Sequence, residues 1–378
     1  MAAFDVAVIG GGPVGASLVR ALQGMTIALI APAPDPAPAV GFDARVYALS
    51  PGNVEFLRGL GVWDALPAER LAPVHAMRIF GDDARAALEF DAYQAGVPEL
   101  AWIVEDCALQ RALWSGLSGM ALRCERLEIG AEHAVISFAD AAPIAAKLVV
   151  GADGAHSFVR GAAGIDARER DYQQTALVAN FHCEKPHRNV AYQWFQGGPV
   201  LALLPLPGDQ VSMVWSLPAA EAQRIESLDP GDLAHEVGQA SHGVLGALSL
   251  ASSARSFPLR RLAARRLVAP RVALVGDAAH VIHPLAGQGL NLGLQDARAL
   301  AETIASREPQ RDPGDYRLLR RYERRRAEPI LAMDTVVSGL YALYGARGAL
   351  AGRVRNAGLN LTDRLPVLKN ILMRQAMS

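Results

Sequence analysis

The chain has 378 residues, 51% of them hydrophobic, so it can bury more apolar surface than one core of about 250 to 300 residues uses. We therefore expect two lobes. Its 37 basic and 38 acidic side chains give a net charge of -1, which excludes a global attraction to nucleic acid or anionic lipid. The 3 cysteines form no CxxC pair, so we expect neither a disulfide framework nor a structural zinc site, and a reducing cytoplasm fits best.

The start of the chain predicts a strand, a helix and a second strand. Residues 4–9 are an apolar run typical of a buried strand, a helix is expected from about Pro13 to Leu22, and Thr26 to Ile30 is a second apolar run. Because the fold starts so early, we expect no signal peptide, and no stretch has the ~20 apolar residues of a membrane-spanning helix. This β-α-β opening indicates a parallel sheet.

The turn between this strand and this helix carries the motif Gly10-Gly11-Gly12-Pro13-Val14-Gly15. In a strand-turn-helix setting, such a GxGxxG motif predicts dinucleotide binding, with the phosphates at the helix N-terminus. Gly10 permits the tight turn, Gly12 lets a pyrophosphate approach the backbone, and Gly15 allows close helix packing. The acid expected ~20 positions later is missing from the end of the second strand, and Asp35 is the nearest acid.

Two later strands are each followed by an aspartate. The run from Leu148 to Val150 leads to Asp153, and the run from Val272 to Val275 leads to Gly276 and Asp277. Both runs are short and continuously apolar, as strands buried on both faces of a parallel sheet are. We therefore expect the chain to return twice to the first sheet, with each carboxylate at the ligand-binding end of its strand.

A glycine-rich turn follows the second of these strands and leads straight into a helix. Its candidate cofactor-binding residues are Pro284, Gly287, Gln288, Gly289, Leu290 and Asn291. The N-terminus of that helix can stabilise negative charge on a reduced ring system. His280 and His283 lie nearby, but neither has a neighbouring carboxylate or cysteine in the sequence, so no metal site is expected.

Alternating segments elsewhere predict antiparallel strands, most of them in a second sheet. They are residues 77–90, 133–138, 175–183, 190–195, 200–204 and 211–217. The predicted fold class is α/β, with a Rossmann-like nucleotide-binding domain, an inserted antiparallel-sheet substrate domain and a C-terminal helical segment. The expected divisions are 1–72, 100–168 and 268–330 for the first domain, 73–99 and 169–267 for the second, and 331–378 for the helical segment.

The order of the three motifs resembles the class A FAD-dependent aromatic monooxygenases, which share the fold of p-hydroxybenzoate hydroxylase. In that family one Rossmann-like site of the GR2 type binds FAD, and no second nucleotide domain exists. Finer features are similar to the ubiquinone-biosynthesis hydroxylases of the family and cover the chain nearly end to end. They are Phe42–Ser50, Leu60–Trp63, Ile103–Asp106, Leu109–Gln110, His283–Gly293 and Leu365–Lys369.

The resemblance implies roles for individual residues. Arg45 and Gln110 would contact the phosphate and ribityl region of FAD, Asp277 would take a ribityl hydroxyl, and the turn from Pro284 to Asn291 would lie against the isoalloxazine. The role of Asp153 is left open: it would contact FAD or nicotinamide, or it would only cap a turn. The implied reaction uses NADH or NADPH and O2 and hydroxylates an electron-rich ring through a flavin C4a-hydroperoxide. The protein then has to place the ring and exclude water, so no catalytic triad is required.

The resemblance also implies the substrate, a small lipophilic phenol with a polyprenyl tail that is hydroxylated during ubiquinone assembly. Residues 190–217 contain no arginine, which a carboxylated substrate would want as a bidentate partner. Alternation puts Tyr192 and Trp194 on one face of their strand and Gln193 and Phe195 on the other, and core packing stays open for both pairs. The substrate-side candidates are Tyr192, Gln193, Trp194, Phe195, Trp215, His283 and Pro284.

Two other functions stay open. A prenyl-chain reductase of the same superfamily would reduce alkenes without consuming oxygen, and a non-catalytic accessory protein would bind FAD and prenyl lipid only. A flavin halogenase is not favoured, because its WxWxIP signature is absent. A run of arginines without an intervening acid favours a solvated face, with docking of a nicotinamide phosphate as the alternative. These arginines are Arg255, Arg260, Arg261, Arg265, Arg266 and Arg271.

The end of the chain combines basic and apolar residues at helical spacing. Between Arg347 and Arg374 the basic residues are accompanied by one acid, Asp363. This pattern suits a membrane surface, although docking on the first domain explains it equally well. The expected location is therefore the cytoplasm, with peripheral contact at the inner face of the membrane left open. Other ubiquinone-biosynthesis proteins are candidate partners, and nucleic acid is not.

Overall fold

The structure is a computed structural model that describes residues 2–34, 41–81, 87–283 and 288–345, with the backbone alone at residues 87 and 340–345. Four features of the sequence lie outside the described residues. They are Asp35, Pro284, Gly287 and the C-terminal segment from residue 346 onward.

Seven strands form the first sheet. They are β1 (Ala2–Ile9), β2 (Ile27–Ile30), β8 (Cys124–Ile129), β9 (Ala134–Phe138), β10 (Ile144–Gly151), β17 (Val268–Ala269) and β18 (Val272–Leu274). Six helices contribute side chains to its core. They are α1 (Pro13–Ala21), α2 (Pro51–Gly59), α4 (Asp106–Trp114), α5 (Phe158–Ala162), α8 (Gly289–Ala305) and α9 (Tyr316–Gly345).

The centre of this sheet is parallel, in the order β18-β10-β1-β2. Val8 of β1 pairs with Leu29 of β2 and Val150 of β10, and Val150 pairs with Ala273 of β18. After the Asp5–Lys147 ion pair the paired stretches are apolar and buried, as strands with helices on both faces of a sheet are. The predicted double return of the chain is therefore confirmed, and the carboxyl ends of β1, β10 and β18 meet at one edge.

Nine strands form the second sheet. They are β5 (Ala76–Phe80), β6 (Ala87–Asp91), β11 (Ala167–Cys183), β12 (Val190–Phe195), β13 (Val200–Leu206), β14 (Gln210–Pro218), β15 (Leu248–Leu250), β16 (Arg255–Ala264) and β19 (His280–Val281). Three helices accompany them, namely α3 (Ala92–Ala95), α6 (Ala219–Glu226) and α7 (Pro230–Ala240). A third sheet contains β3 (Val46–Leu49), β4 (Ala72–Val74) and β7 (Ala101–Glu105).

The second sheet is antiparallel except where β12 pairs with β5. Two segments lie in a different sheet from the one that their neighbours in the sequence join. Residues 133–138 join the first sheet, because β9 pairs with β10. Residues 280–281 leave the first sheet as β19 and pair with β16, which ties the two sheets together. The α/β class, the Rossmann-like domain and the second, mostly antiparallel sheet are as predicted.

The long helix α9 packs across the first sheet. Tyr322 is fully buried, and its hydroxyl donates a hydrogen bond of 2.8 Å to the carbonyl of Leu274 in β18. Among the described helices, none is long and apolar enough to cross a membrane.

Candidate active site

The glycine turn after β1 has the shape that a bound pyrophosphate requires. Gly10 has a φ of +108°, which side chains rarely adopt, and a Cβ atom there would overlap the carbonyl of Ala152. A Cβ on Gly15 would overlap the Gly10 carbonyl, so this glycine lets α1 lie close to the turn. At Gly12 an added Cβ would meet no described atom within 4 Å, so the turn is open there. The first turn of α1 contains no acid to repel an anion.

Val14 brings the first motif into contact with the third. A Cβ on Gly276 would lie 3.2 Å from Val14 Cγ2, and one on Gly293 of α8 would lie 2.6 Å from the same atom. Since Gly10 also lies against Ala152, the turns after β1, β10 and β18 and the start of α8 are neighbours. The half-buried residues at this start are Gln288, Gly289 and Leu290.

Asn291 fastens the start of α8 to β3 and α2. Its Oδ1 accepts hydrogen bonds of 2.9 Å from the backbone N–H of Ser50 and from Asn53 Nδ2. Its Nδ2 donates one of 2.8 Å to the carbonyl of Ala48. Asn291 is buried, so these contacts fix where the glycine-rich turn ends. A direct contact between Asn291 and the flavin stays a proposal.

Asp153 follows β10 and caps the start of α5. Its Oδ1 accepts a hydrogen bond of 2.5 Å from the hydroxyl of Ser157, and its Oδ2 accepts one of 3.1 Å from the backbone N–H of Val159. Both carboxylate oxygens are therefore engaged locally. Of the two alternatives in the sequence, capping accounts for the observed contacts, and a cofactor role for Asp153 stays a proposal.

Asp277 lies in the single 3-10 turn after β18, within a cleft. Its side chain is solvent-accessible, yet the surrounding protein raises the pKa of the carboxyl through desolvation, against the opposing charges of His280 and Arg45. Arg45, about half exposed just before β3, lies close enough to Asp277 for their charges to interact. A solvent-accessible carboxylate near a guanidinium can accept a hydrogen bond from a hydroxyl while the cation binds a phosphate.

Asp106 organises the other side of Arg45, and the sequence motifs alone did not single it out. Its Oδ1 accepts hydrogen bonds from the hydroxyl of Tyr47 at 3.0 Å and from Gln110 Nε2 at 2.9 Å. Its Oδ2 lies 3.9 Å from Arg45 Nη1. Arg45 and Gln110, both predicted FAD contacts, are thus brought together by a carboxylate at the start of α4. Burial raises the pKa of Tyr47 far above its usual value, so its hydroxyl stays protonated and donates.

A buried charge network holds the turn that presents Asp277. Asp296 of α8 is fully buried, and its Oδ2 accepts hydrogen bonds from the Gly276 N–H at 3.0 Å and from His280 Nε2 at 2.6 Å. Its Oδ1 accepts one of 2.6 Å from Arg326 Nε of α9. Burial alone would raise the pKa of Asp296, but His280 and Arg326 outweigh it and hold the pKa below its usual value. The sequence does hold one signal for this network, because Asp296 lies on the apolar face of its helix, one turn after Leu292, where an acid is rarely buried without a partner.

The two faces of the second sheet differ in composition. The face turned toward the first domain has no ionisable side chain across the middle of its four central strands, β11 to β14, and this part is here called the inner face. His182, the next residue of the same face along β11, is exposed at the end of that strand. The residues of the inner face are Ala176, Val178, Asn180, Gln193, Phe195, Val200, Ala202, Leu204, Ser212, Val214 and Ser216. The orientation follows from Phe195, which packs with Ile282 and Leu292, and from Asn180, whose Nδ2 donates to the carbonyls of Phe42 and Asp43 at 3.0 and 2.9 Å.

The inner face is accessible at its centre. The cross-strand neighbours Val214 and Ala202, together with Leu204, are half-buried, whereas their neighbours along the strands are buried. Two adjacent polar atoms on this face, Asn180 Oδ1 and Ser212 Oγ, are buried and have no hydrogen-bond partner among the described residues. The inner face is therefore an apolar surface with free polar atoms beside it.

The opposite, outer face packs against α6 and α7. Tyr192, Trp194 and Trp215 lie in this core, with Tyr192 stacked on Trp194 at a centroid distance of 5.8 Å. Core packing therefore explains these three substrate-side candidates. Gln193 and Phe195 are the pair on the inner face. Alternation alone could not decide which pair faces which side, because that depends on where α6 and α7 pack.

His283 lies where the described chain stops before the glycine-rich turn. Its Nε2 is 3.0 Å from Gln174 Oε1 of β11, and its ring meets Tyr172 edge-on at a centroid distance of 4.8 Å. Burial lowers the pKa of His283 to about 4, so the ring is neutral at pH 7. His283 thus contacts the second sheet as an uncharged group. Within the described residues, no cluster of three or more His, Cys, Asp or Glu side chains could hold a metal ion.

Known protein families, sequences and structures include relatives of this chain. A family model described as an FAD binding domain matches residues 3–333. The 3-demethoxyubiquinol 3-hydroxylase of Escherichia coli is 34% identical over 99% of this chain and 98% of its own length. Ubiquinone hydroxylase UbiL of Rhodospirillum rubrum is 33% identical over 99% of this chain and 89% of its own length. PqsL of Pseudomonas aeruginosa, a probable FAD-dependent monooxygenase of solved structure, has the same fold, with a TM-score of 0.77, 23% identity and coverage of 95% and 100%.

The residues present fit FAD. An open glycine turn at the N-terminus of α1 can take the pyrophosphate, and the cleft beside Arg45 and Asp277 can take the ribityl chain. The chain belongs to the FAD-binding-domain family and, within it, to the class A flavin monooxygenases that include the ubiquinone hydroxylases.

Proposed function

We propose that this chain hydroxylates the aromatic ring of a polyprenylated phenol during ubiquinone biosynthesis, with NADH or NADPH and O2 as cosubstrates. The observation that carries the proposal is the inner face, which is apolar, free of ionisable side chains and accessible at Val214, Ala202 and Leu204. The relatives named as ubiquinone hydroxylases support the pathway.

FAD would be held by three groups of residues. The pyrophosphate would lie on the N-terminus of α1 at Gly12, where backbone N–H groups and the helix dipole favour an anion. Arg45 and Gln110, aligned by Asp106, would contact the phosphate and ribityl region. Asp277 would accept a hydrogen bond from a ribityl hydroxyl. Bound FAD supplies the electron transfer and oxygen activation.

The substrate ring would lie between the inner face and the start of α8. Asn180 Oδ1 and Ser212 Oγ, which have no partner among the described residues, would bind an oxygen substituent of the ring. Phe195 and its neighbours would pack against the ring and exclude water, which protects the oxidant from wasteful loss. A carboxylated ring would find no cation on this face and would remain a buried, unpaired charge.

A turnover assay separates this proposal from its rivals. The FAD-loaded enzyme is given NADH or NADPH, a short-chain prenylphenol or 4-hydroxybenzoate, while oxygen uptake and product are measured. We expect oxygen uptake coupled to a hydroxylated prenylphenol. Alkene reduction without oxygen uptake would establish the prenyl-chain reductase, and no turnover with either nucleotide would favour the accessory protein. Tight coupling on the free acid alone would refute the prenylphenol assignment.

Peripheral membrane contact through the C-terminal segment is part of the proposal and rests on its basic and apolar composition. The test compares co-sedimentation of full-length protein and of a version ending at Ala346 with vesicles that contain phosphatidylglycerol. We expect the shortened protein to bind less, provided that its FAD absorbance shows that it still folds. Equal binding would exclude this role for the segment.

A further inference from the structure

A groove separates β16 and β19 from α9. It has a volume of about 610 Å³, within the range of about 300 to 1,000 Å³ typical of small-molecule sites. Its apolar floor contains Leu262, Leu267, Ile282, Ile330 and Leu331. Leu331 of α9 is 65% exposed at the rim of the groove.

Arginines surround this floor, and their charges are only partly neutralised. Arg261 forms a bidentate pair with Asp334 at 2.7 and 2.5 Å, and Arg320 pairs with Glu323. Four further arginines that line the groove form no ion pair within the described residues. They are Arg168, Arg265, Arg266 and Arg324. Arg265 and Arg266 also line a neighbouring cavity of about 460 Å³, so they stand between two hollows.

The inner end of the groove reaches the charge network behind Asp277. His280 lines the groove, is 3% exposed, and its Nδ1 has no hydrogen-bond partner in the described part of the chain. Its Nε2 is bonded to Asp296. A buried ring nitrogen without a partner costs free energy unless a ligand satisfies it. This is a second, independent feature that points to a ligand.

We propose that this groove binds an anionic phospholipid, with the phosphate among the four unpaired arginines and an acyl chain along the apolar floor. A free phosphate would leave the floor uncovered, and a neutral prenyl chain would leave the arginines without a counter-charge. Only an anion joined to an apolar chain matches both halves of the groove. Ile282 lines the groove and also packs on Phe195 of the inner face, so the bound lipid would lie beside the substrate region.

The test measures binding without turnover, so its failure leaves the hydroxylase assignment standing. Full-length, FAD-loaded protein is sedimented with vesicles of phosphatidylcholine alone and of phosphatidylcholine mixed with phosphatidylglycerol. The test variant is R265Q/R266Q. The control is R123Q/R126Q, which removes the same charge from two arginines on β8 and its approach, whose side chains are 83% and 73% exposed. FAD absorbance and melting temperature verify that both variants fold.

We expect binding to the mixed vesicles only, and a partition coefficient about 30-fold lower for R265Q/R266Q. The control should bind like the wild type. An equal loss of binding in both variants would mean that only the net charge matters. No loss in either variant would mean that the groove does not bind the membrane. Each of these results overturns the proposal. Release by inorganic phosphate or by NADPH, at an ionic strength where chloride has no effect, would identify a free-anion or nucleotide site and would overturn it as well.

Discussion

In the cofactor cleft, charged side chains are held in place by other charged side chains, whereas the inner face of the second sheet contains none. Asp106 aligns Arg45 and Gln110, and Asp296 joins His280, Arg326 and the Gly276 N–H. On the inner face the sheet presents small apolar residues and two unpartnered polar atoms. In our proposal, preorganised charge therefore holds the ionic cofactor, and shape and the absence of charge select the substrate.

The largest effect should come from breaking the buried network. Asp296→Ala leaves the Arg326 guanidinium and the His280 ring buried without the carboxylate that they share, so we expect the free energy of unfolding to fall by about 3 to 5 kcal/mol. Urea unfolding in a fixed excess of FAD measures it.

Glu302→Ala is the matched control, because Glu302 lies on the same helix and forms solvent-exposed pairs with Arg298 and with Arg325 of α9. Its loss should cost less than about 1 kcal/mol. Equal losses in the two variants would show that the network is no stronger than a surface ion pair.

The next effect distinguishes the two faces of the second sheet. Leu203 is fully buried on the outer face, and Leu204 is half-buried on the inner face of the same strand. Leu203→Ala should cost about 2 to 5 kcal/mol of stability. Leu204→Ala should cost less, since its site is already partly open, and should weaken prenylphenol binding instead. Thermal melts and ligand titrations of both variants measure this, and the reverse order would contradict our assignment of the faces.

These two regions also differ in how far the sequence predicts them. The glycine turn and the position of Asp277 after β18 were predictable, because a glycine motif and a short apolar strand mark them in the sequence. Asp106 ends a segment that the resemblance identified, but its link from Gln110 to Tyr47 and Arg45 joins residues about 60 positions apart, and no spacing rule connects Asp296 of α8 to Arg326 of α9. Alternation in β12 predicted two faces correctly. It could not tell which face α6 and α7 cover, since that is decided by tertiary packing.

A third prediction separates the aspartates that follow β10 and β18. Asp277→Ala would remove the proposed charge-assisted hydrogen bond to a ribityl hydroxyl, which is typically worth about 1.5 to 3 kcal/mol, so FAD should bind about 10- to 150-fold more weakly. Asp153→Asn should lower the melting temperature and leave FAD affinity nearly unchanged, because Asp153 caps α5. Fluorescence titration of FAD into the apoprotein measures both. A larger loss of affinity in Asp153→Asn would reverse the two roles.

The smallest effect is a dependence of stability on pH at His283. The pKa of His283 falls from 6.5 to about 4 on folding, so the unfolded chain binds the extra proton between these values. The contribution is fully present above pH 6.5 and is lost as the pH falls toward 4, by about 2 kcal/mol at pH 5. Urea unfolding at pH 7.5 and pH 5 should show a smaller difference for His283→Gln than for the wild type. An unchanged difference would mean that His283 is protonated when folded.

The central claim, that an uncharged inner face selects an uncharged lipophilic phenol, is tested most directly by equilibrium titration. Ligand is added to the FAD-loaded enzyme without nucleotide, and the flavin absorbance is followed for the wild type and for Val214→Asp, which places a carboxylate at the centre of the face. We predict a saturating change with a short-chain prenylphenol, none with 4-hydroxybenzoate, and loss of the prenylphenol response in the variant. Saturable binding of 4-hydroxybenzoate to the wild type, or an unaltered response in Val214→Asp, would contradict the account.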